Sequence, residues 1–283
     1  MNISLPAFHH AFYTLSLRKP EQPDSIIRIG EVQFGGGRFV AIVSTEAESR
    51  IEMEQDAAAI SRSGAQIIAG HWKEQNEGIP FRKMSTLQRV ANQYGLLTML
   101  EVTAHEQLKI CEEYADLIAI DIRLLRNQLL LRRLSSVKRP IILKRSHQDS
   151  YEDLLGAAEY LLSHGNPNII LCEGSMCPFE NIQYNSLDIA AIPELRQLTH
   201  LPVIAYPVHC ISNGNTLNSL TKACVAAGAD GLLLELKSTA ENNQASTYPT
   251  PTQALSTEEY AALMHDVRML ALVCGRRMSR MKN

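Results

Sequence analysis

Ionisable residues in this chain gather where short apolar runs end. The runs close at Ser44-Thr45, Gly70-His71-Trp72-Lys73, Glu101, Asp121-Ile122-Arg123, Lys144-Arg145, Cys172-Glu173, His209 and Glu235. Charges beside apolar segments are expensive to bury alone, so these groups must pair with one another or hold a ligand. Lys73, Arg123 and Lys144 would form a cationic patch suited to a phosphate or a carboxylate, and Glu101, Glu173 and Glu235 would balance it. His209 with Glu235 offers half of a metal site, too few ligands to hold an ion tightly. A ring of internal salt bridges is the competing use of the same residues. An amine nucleophile at Lys73 or Lys144, as in Schiff-base aldolases, is a further and less favoured one.

The elements that would position these groups alternate along the chain. Apolar runs lie at Phe39–Val43, Gln66–Gly70, Leu97–Val102, Leu117–Ile120, Pro140–Lys144, Asn168–Cys172, Pro202–Tyr206 and Gly231–Glu235. Each is short and apolar on both faces, the pattern of a buried parallel strand. Between them lie amphipathic stretches such as Glu48–Ser63, Thr103–Tyr114, Ser150–Ser163 and Thr216–Ala227, with glycine turn signals after several. Eight such units predict an α/β protein, a (β/α)8 TIM barrel whose chemistry sits at the C-terminal strand ends. An open doubly wound sheet competes, since periodicity cannot show closure. No GxGxxG loop follows the first strand, which weighs against its nucleotide-binding version. Residues 25–38, SIIRIGEVQFGGGR, read as a β-hairpin placed to plug the N-terminal mouth. The chain thus divides into an uninformative extension over 1–24, the hairpin over 25–38 and the barrel over 39–283. Lys237–Ala254 reads as a long polar loop after the eighth strand.

Composition bounds the function. The 283 residues are 45% hydrophobic and 20% charged, with a formal net charge of −3, which excludes general disorder and gives no footing for nucleic acid or a membrane surface. No apolar run reaches the roughly 18–20 residues of a membrane span. The N-terminus shows no secretion signal, and six cysteines without zinc-ribbon spacing read as reduced thiols, so a cytoplasmic location is expected.

Seven segments carry a resemblance: IRIGEVQFGGGRFVAI, EYADLIAIDIR, RPIILKRS, NIILCEG, NSLDIAAIP, LPVIAYPVH and AAGADGLLLEL. Together they resemble the 3-deoxy-D-arabino-heptulosonate 7-phosphate (DAHP) synthases, in the subgroup close to the 3-deoxy-octulosonate-phosphate synthases. The likeness runs from about Ile26 to about Leu270. It implies a barrel that condenses phosphoenolpyruvate with an aldose phosphate, as in aromatic amino acid biosynthesis. It also implies a divalent metal that polarises the aldehyde, and Arg and Lys groups that hold two phosphates. By position, Lys73 matches the lysine of Lys-Pro-Arg, Glu101 a glutamate ending the third barrel strand, and Arg123 the phosphoenolpyruvate arginine of Gly-Ala-Arg. Lys144 matches the lysine of Leu-Lys-Arg-Gly, Glu173 the glutamate of Cys-Glu-Arg, and His209 and Glu235 two metal ligands.

The departures matter as much. The family's Gly-Pro-Cys-Ser reads Val43-Ser44-Thr45-Glu46, which puts Thr45 at the metal cysteine, and the late metal aspartate falls near Thr250. The phosphate arginines fall at Gln75, near Ala69 and at Gly174, and the aspartate before Pro-Ser-His is Tyr206. Each lost arginine contact costs about 1.5–3 kcal/mol, the usual size of a charged hydrogen bond. Octulosonate enzymes that lack the metal, with Asn for the cysteine, keep their activity, so that loss alone does not end catalysis. With the arginines gone as well, the expectation is a divergent barrel that binds a small anionic ligand with altered or lost condensation activity. The alternatives are a working DAHP synthase and a non-catalytic partner of a genuine one. A homo-oligomer is expected, a divalent metal only weakly, and no added regulatory domain.

Overall fold

The computed structural model describes residues 13–70, 81–145, 149–174, 187–208, 214–237 and 254–280. A two-stranded hairpin, β1 (Ile27–Ile29) and β2 (Val32–Phe34), precedes eight parallel strands. These are β3 (Arg38–Thr45), β4 (Ile67–Gly70), β5 (Leu97–Val102), β6 (Leu117–Asp121), β7 (Ile141–Arg145), β8 (Ile169–Gly174), β9 (Val203–Tyr206) and β10 (Gly231–Leu236). Neighbours in sequence pair in space, and β10 returns to β3 from Gly231↔Val40 to Leu236↔Thr45. That last pairing closes the sheet, so the protein is a (β/α)8 barrel and not an open sheet. Closure explains the strand composition: with side chains on one face filling the barrel and those on the other meeting helices, strands such as Leu117–Asp121 and Ile169–Gly174 are buried at every position.

The helices are α1 (Arg50–Arg62), α2 (Phe81–Gln93), α3 (Leu108–Tyr114), α4 (Gln128–Ser135), α5 (Tyr151–Ser163), α6 (Ala191–Leu198), α7 (Gly214–Ala226) and α8 (Thr257–Val273). Three begin with reciprocal capping boxes: Ser49 with Glu52, Ser150 with Asp153, and Ser256 with Glu259. Those caps fix where the three helices begin.

The hairpin buries Ile27, Val32 and Phe34. The Gln33 backbone N–H donates to Ser279 Oγ at 2.7 Å, and Gly35 packs on Pro202 just before β9. It therefore covers the N-terminal mouth, opposite the strand ends that carry the charges. Gly35 has φ 76°, and a Cβ there would stand 2.2 Å from the Ser25 carbonyl oxygen, so only glycine makes this turn. A short strand, β11 (Arg277–Met278), joins the start of β3. Its two residues leave no periodic signal to read.

The segment before the hairpin is anchored as well, which its sequence does not announce. Buried Glu159 of α5 accepts backbone N–H groups from Thr14 at 3.0 Å, Leu15 at 2.9 Å and Ser16 at 2.6 Å. Burial works to raise this carboxyl, but the converging N–H donors win and hold it below the usual glutamate range. Its contribution to stability is therefore present above the unfolded value of 4.5 and is lost as pH falls through the lowered folded value. Glu159→Ala is expected to cost about 2–3 kcal/mol, because three donors lose a charged acceptor. Limited proteolysis near residues 13–24 should accelerate while the barrel stays intact; unchanged cleavage would show that the segment is held elsewhere.

Candidate active site

Cations at the C-terminal ends of β6 and β7 meet carboxylates. Lys144 Nζ lies 2.7 Å from Glu101 Oε1, reaching across β6 to the end of β5. Its side chain is 6% exposed. Burial pulls the ammonium toward the neutral form, but the adjacent Glu101 carboxylate outweighs it, and the lysine titrates above its ordinary value. Arg123 binds Asp121 with Nε–Oδ1 at 2.9 Å and Nη2–Oδ2 at 2.6 Å, while the same Oδ1 accepts the Arg123 backbone N–H. The guanidinium is held more firmly charged by the hydrogen bond from its side chain to Asp121. Where the resemblance gives this arginine a glycine neighbour, Asp121 supplies an internal anion instead.

The third pair faces the other way. Arg145 donates to Glu173 through Nε at 2.7 Å and Nη2 at 2.9 Å, gives Nη1 to the Asp149 carbonyl at 2.7 Å, and stacks 4.7 Å from the Tyr151 ring of α5. Strand alternation turns Arg145 and Glu173 toward the helix layer when Lys144 points inward. Burial lifts Glu173 to about 7, with Asp188 and Asp149 adding and Arg145 opposing. Glu173, expected at the ligand, is thus engaged in the wall of the barrel.

Inward from β9, the Tyr206 hydroxyl donates to Glu235 Oε1, and its ring centroid lies 5.2 Å from Lys144 Nζ. Burial, and then the Glu235 charge, keep this phenol protonated far above its usual range. Cys172, paired in register with Lys144, is pushed by burial up to about 12 and is a packing thiol. The pairs Lys144–Glu101 and Tyr206–Glu235 therefore form one buried polar cluster at the head of the barrel, joined by the Lys144–Tyr206 contact.

Thr45 does not join it. Its hydroxyl donates to Asp56 of α1 and accepts the Ala47 N–H at 3.0 Å, which directs the side chain to the helix layer. Lys73, His209 and Thr250 lie outside the described residues. The structure therefore brings together Glu101, Lys144 and Glu235 of the expected set, keeps Arg123 at the rim with Asp121, and turns Glu173 and Thr45 outward. Sequence reading did not foresee the clamp on Arg123. Its signal was the Asp-x-Arg spacing, in which an aspartate caps the N–H two residues on.

The described residues by themselves do not make a seat for the divalent ion that the resemblance implies, and two of its expected positions, His209 and Thr250, lie outside them. Glu235 Oε1 is taken by the Tyr206 phenol, and Thr45 is turned toward Asp56. Among the described residues, no three His, Cys, Asp or Glu side chains converge as a metal would require. Thr45→Cys is expected to leave manganese affinity unchanged in a calorimetric titration, because the new thiol would face α1. A new stoichiometric site would mean that the end of β3 presents this position to the mouth.

Comparison with known proteins agrees with the fold. The family model described as the DAHP synthetase I family matches residues 72–272. A phospho-2-dehydro-3-deoxyheptonate aldolase of Thermotoga maritima is 30% identical over 277 residues, 93% of this chain and 79% of that protein. A 2-dehydro-3-deoxyphosphooctonate aldolase of Pelobacter propionicus is 29% identical over 163 residues, 53% of this chain and 58% of that protein. The solved structure of a truncated 3-deoxy-D-arabino-heptulosonate 7-phosphate synthase from Thermotoga maritima matches with a TM-score of 0.84 at 29% identity, covering 95% of this chain and 100% of that one. With the family model spanning most of the chain, and a relative this similar along nearly all of it, the protein belongs to the DAHP synthetase I family.

Proposed function

We propose that the protein is an aldolase-type synthase that joins the enol carbon of phosphoenolpyruvate to the aldehyde carbon of erythrose 4-phosphate. The observation that carries this reading is the Lys144–Glu101 pair, a charged ammonium buried at the mouth with its carboxylate 2.7 Å away. Such an ammonium can hold the phosphate or carboxylate of the donor. Arg123, and by resemblance Lys73, would add positive charge. The new carbon–carbon bond forms as the enol carbon attacks the aldehyde, whose oxygen takes a proton. Water adds to the carbon bearing the phosphate, and inorganic phosphate leaves. Glu101, partly open to the mouth, is the carboxylate placed to accept the proton of that water. The names carried by the relatives support a retained condensation over an altered or lost one.

A second reading keeps the donor and changes the acceptor. It is favoured by Gly174 and Tyr206, which stand where the resemblance expects an arginine and an aspartate, so that a ring occupies the mouth beside β8. On either reading the ligands are small anions, the site of action is the cytoplasm, and the working unit is a homo-oligomer or a complex with a related synthase.

The test is to mix the purified protein with phosphoenolpyruvate and erythrose 4-phosphate, with and without manganese, and to follow loss of enol absorbance. Loss that needs both substrates is the expected result. Loss only with a different aldehyde would move the assignment to the second reading, and no loss with any aldehyde would refute a condensing enzyme.

A further inference from the structure

The cluster around Tyr206 supports a conclusion about how the mouth holds its ligand. Tyr206 is 4% exposed and its hydroxyl is bonded to Glu235 across the β9–β10 step. Its ring is confined on two sides. Lys144 Nζ lies 5.2 Å from the ring centroid, and Gly174, its partner in the β8–β9 register, lies beside it. A Cβ on Gly174 would stand 3.4 Å from Tyr206 Cδ1 and 3.5 Å from Tyr206 Cβ, already in contact before any longer side chain is added. A large residue at 174 and a tyrosine at 206 therefore compete for one space, and the two changes belong together. Glu235 is half-buried, so its charge needs partners, and the phenol donates to its Oε1 atom. A cation reaching that oxygen would have to displace a hydroxyl whose ring is packed in place.

We infer that the Tyr206 phenol, admitted by Gly174, stands on Glu235 in place of a divalent cation, and that the mouth takes its anionic ligand without one. Positive charge for the ligand then comes from the Lys144 ammonium and the Arg123 guanidinium, and the position of Tyr206 sets the depth to which a ligand can enter. This rests on the assignment of the strand ends as the ligand site, but not on the identity of the reaction.

The experiment reads metal directly, without substrate. Full-length protein is dialysed against manganese and then against buffer, and its manganese content and thermal midpoint with and without a chelator are measured. The expected result is well under one equivalent of manganese and no chelator effect. Tyr206→Asp removes the ring and adds a carboxylate beside Glu235. It is expected to gain manganese and a manganese-dependent rise in midpoint. Should that variant fail to fold, Tyr206→Phe keeps the ring and removes only the hydroxyl; a lower midpoint than wild type is expected, since Glu235 loses this donor. One equivalent of manganese in the wild type, abolished by Glu235→Gln, would overturn the inference. So would a folded Tyr206→Asp that gains no metal, or a Tyr206→Phe as stable as wild type. An active enzyme that needs manganese would sink this inference and leave the condensation standing. A metal-free protein without turnover would do the reverse.

Discussion

Lys144→Met is expected to abolish phosphoenolpyruvate binding and to destabilise the barrel by about 3–5 kcal/mol, the usual cost of removing one partner from a buried ion pair. That is a large share of the roughly 5–15 kcal/mol by which a domain is stable. The cost comes from Glu101, whose carboxylate would be left without the ammonium 2.7 Å away, and from Tyr206, whose ring would lose the cation 5.2 Å from its centroid. The double variant Lys144→Met/Glu101→Gln separates the two effects. With no charge left unpaired, it should recover most of the stability, since replacing both members of a buried pair is often close to neutral. Phosphoenolpyruvate binding should stay lost. Urea unfolding and calorimetric titration read the two quantities. Wild-type binding by the stable double variant would remove Lys144 from the ligand site.

The second large effect runs the other way. Asp121→Asn should tighten phosphoenolpyruvate binding about tenfold, which corresponds to roughly 1.5 kcal/mol, the low end for a hydrogen bond to a charged group. In the wild type, both carboxylate oxygens of Asp121 hold the Arg123 guanidinium, so a ligand must compete with an internal anion already in bidentate contact. Asparagine keeps an oxygen to cap the Arg123 N–H but removes the charge. Stability should change little, because buried Asp121 gives up a charge that is costly to bury while the Arg123 side chain, 38% exposed, remains open to solvent. Affinity at or below wild type would mean that Arg123 does not reach the ligand, and that the clamp serves only to shape the end of β6.

The two variants probe different parts of one arrangement. Lys144 is inside the barrel and its charge is kept by Glu101, so its loss should be felt by both fold and ligand. Arg123 is at the rim and its own side chain is 38% exposed, so its release from buried Asp121 should be felt mainly by the ligand.

The order of strands and helices was legible in the chain because a closed parallel barrel needs the same local pattern eight times. Short runs such as Ile141–Arg145 are buried on both faces and read as strands whatever their neighbours, and the capping serines mark where helices start. The cluster of charges at the strand ends was legible for the same reason: each charge stands where a run stops. Tertiary structure alone decided which way those charges point and what they meet. A residue's side of a strand depends on register, and one step turns Lys144 to the axis and Arg145 to the helices. Closure came from β10 finding β3, nearly two hundred residues away, which no window of sequence contains. The partners Glu101–Lys144 and Tyr206–Glu235 lie on different strands, so their pairing is a product of barrel geometry, in which side chains from separate segments converge on a single axis.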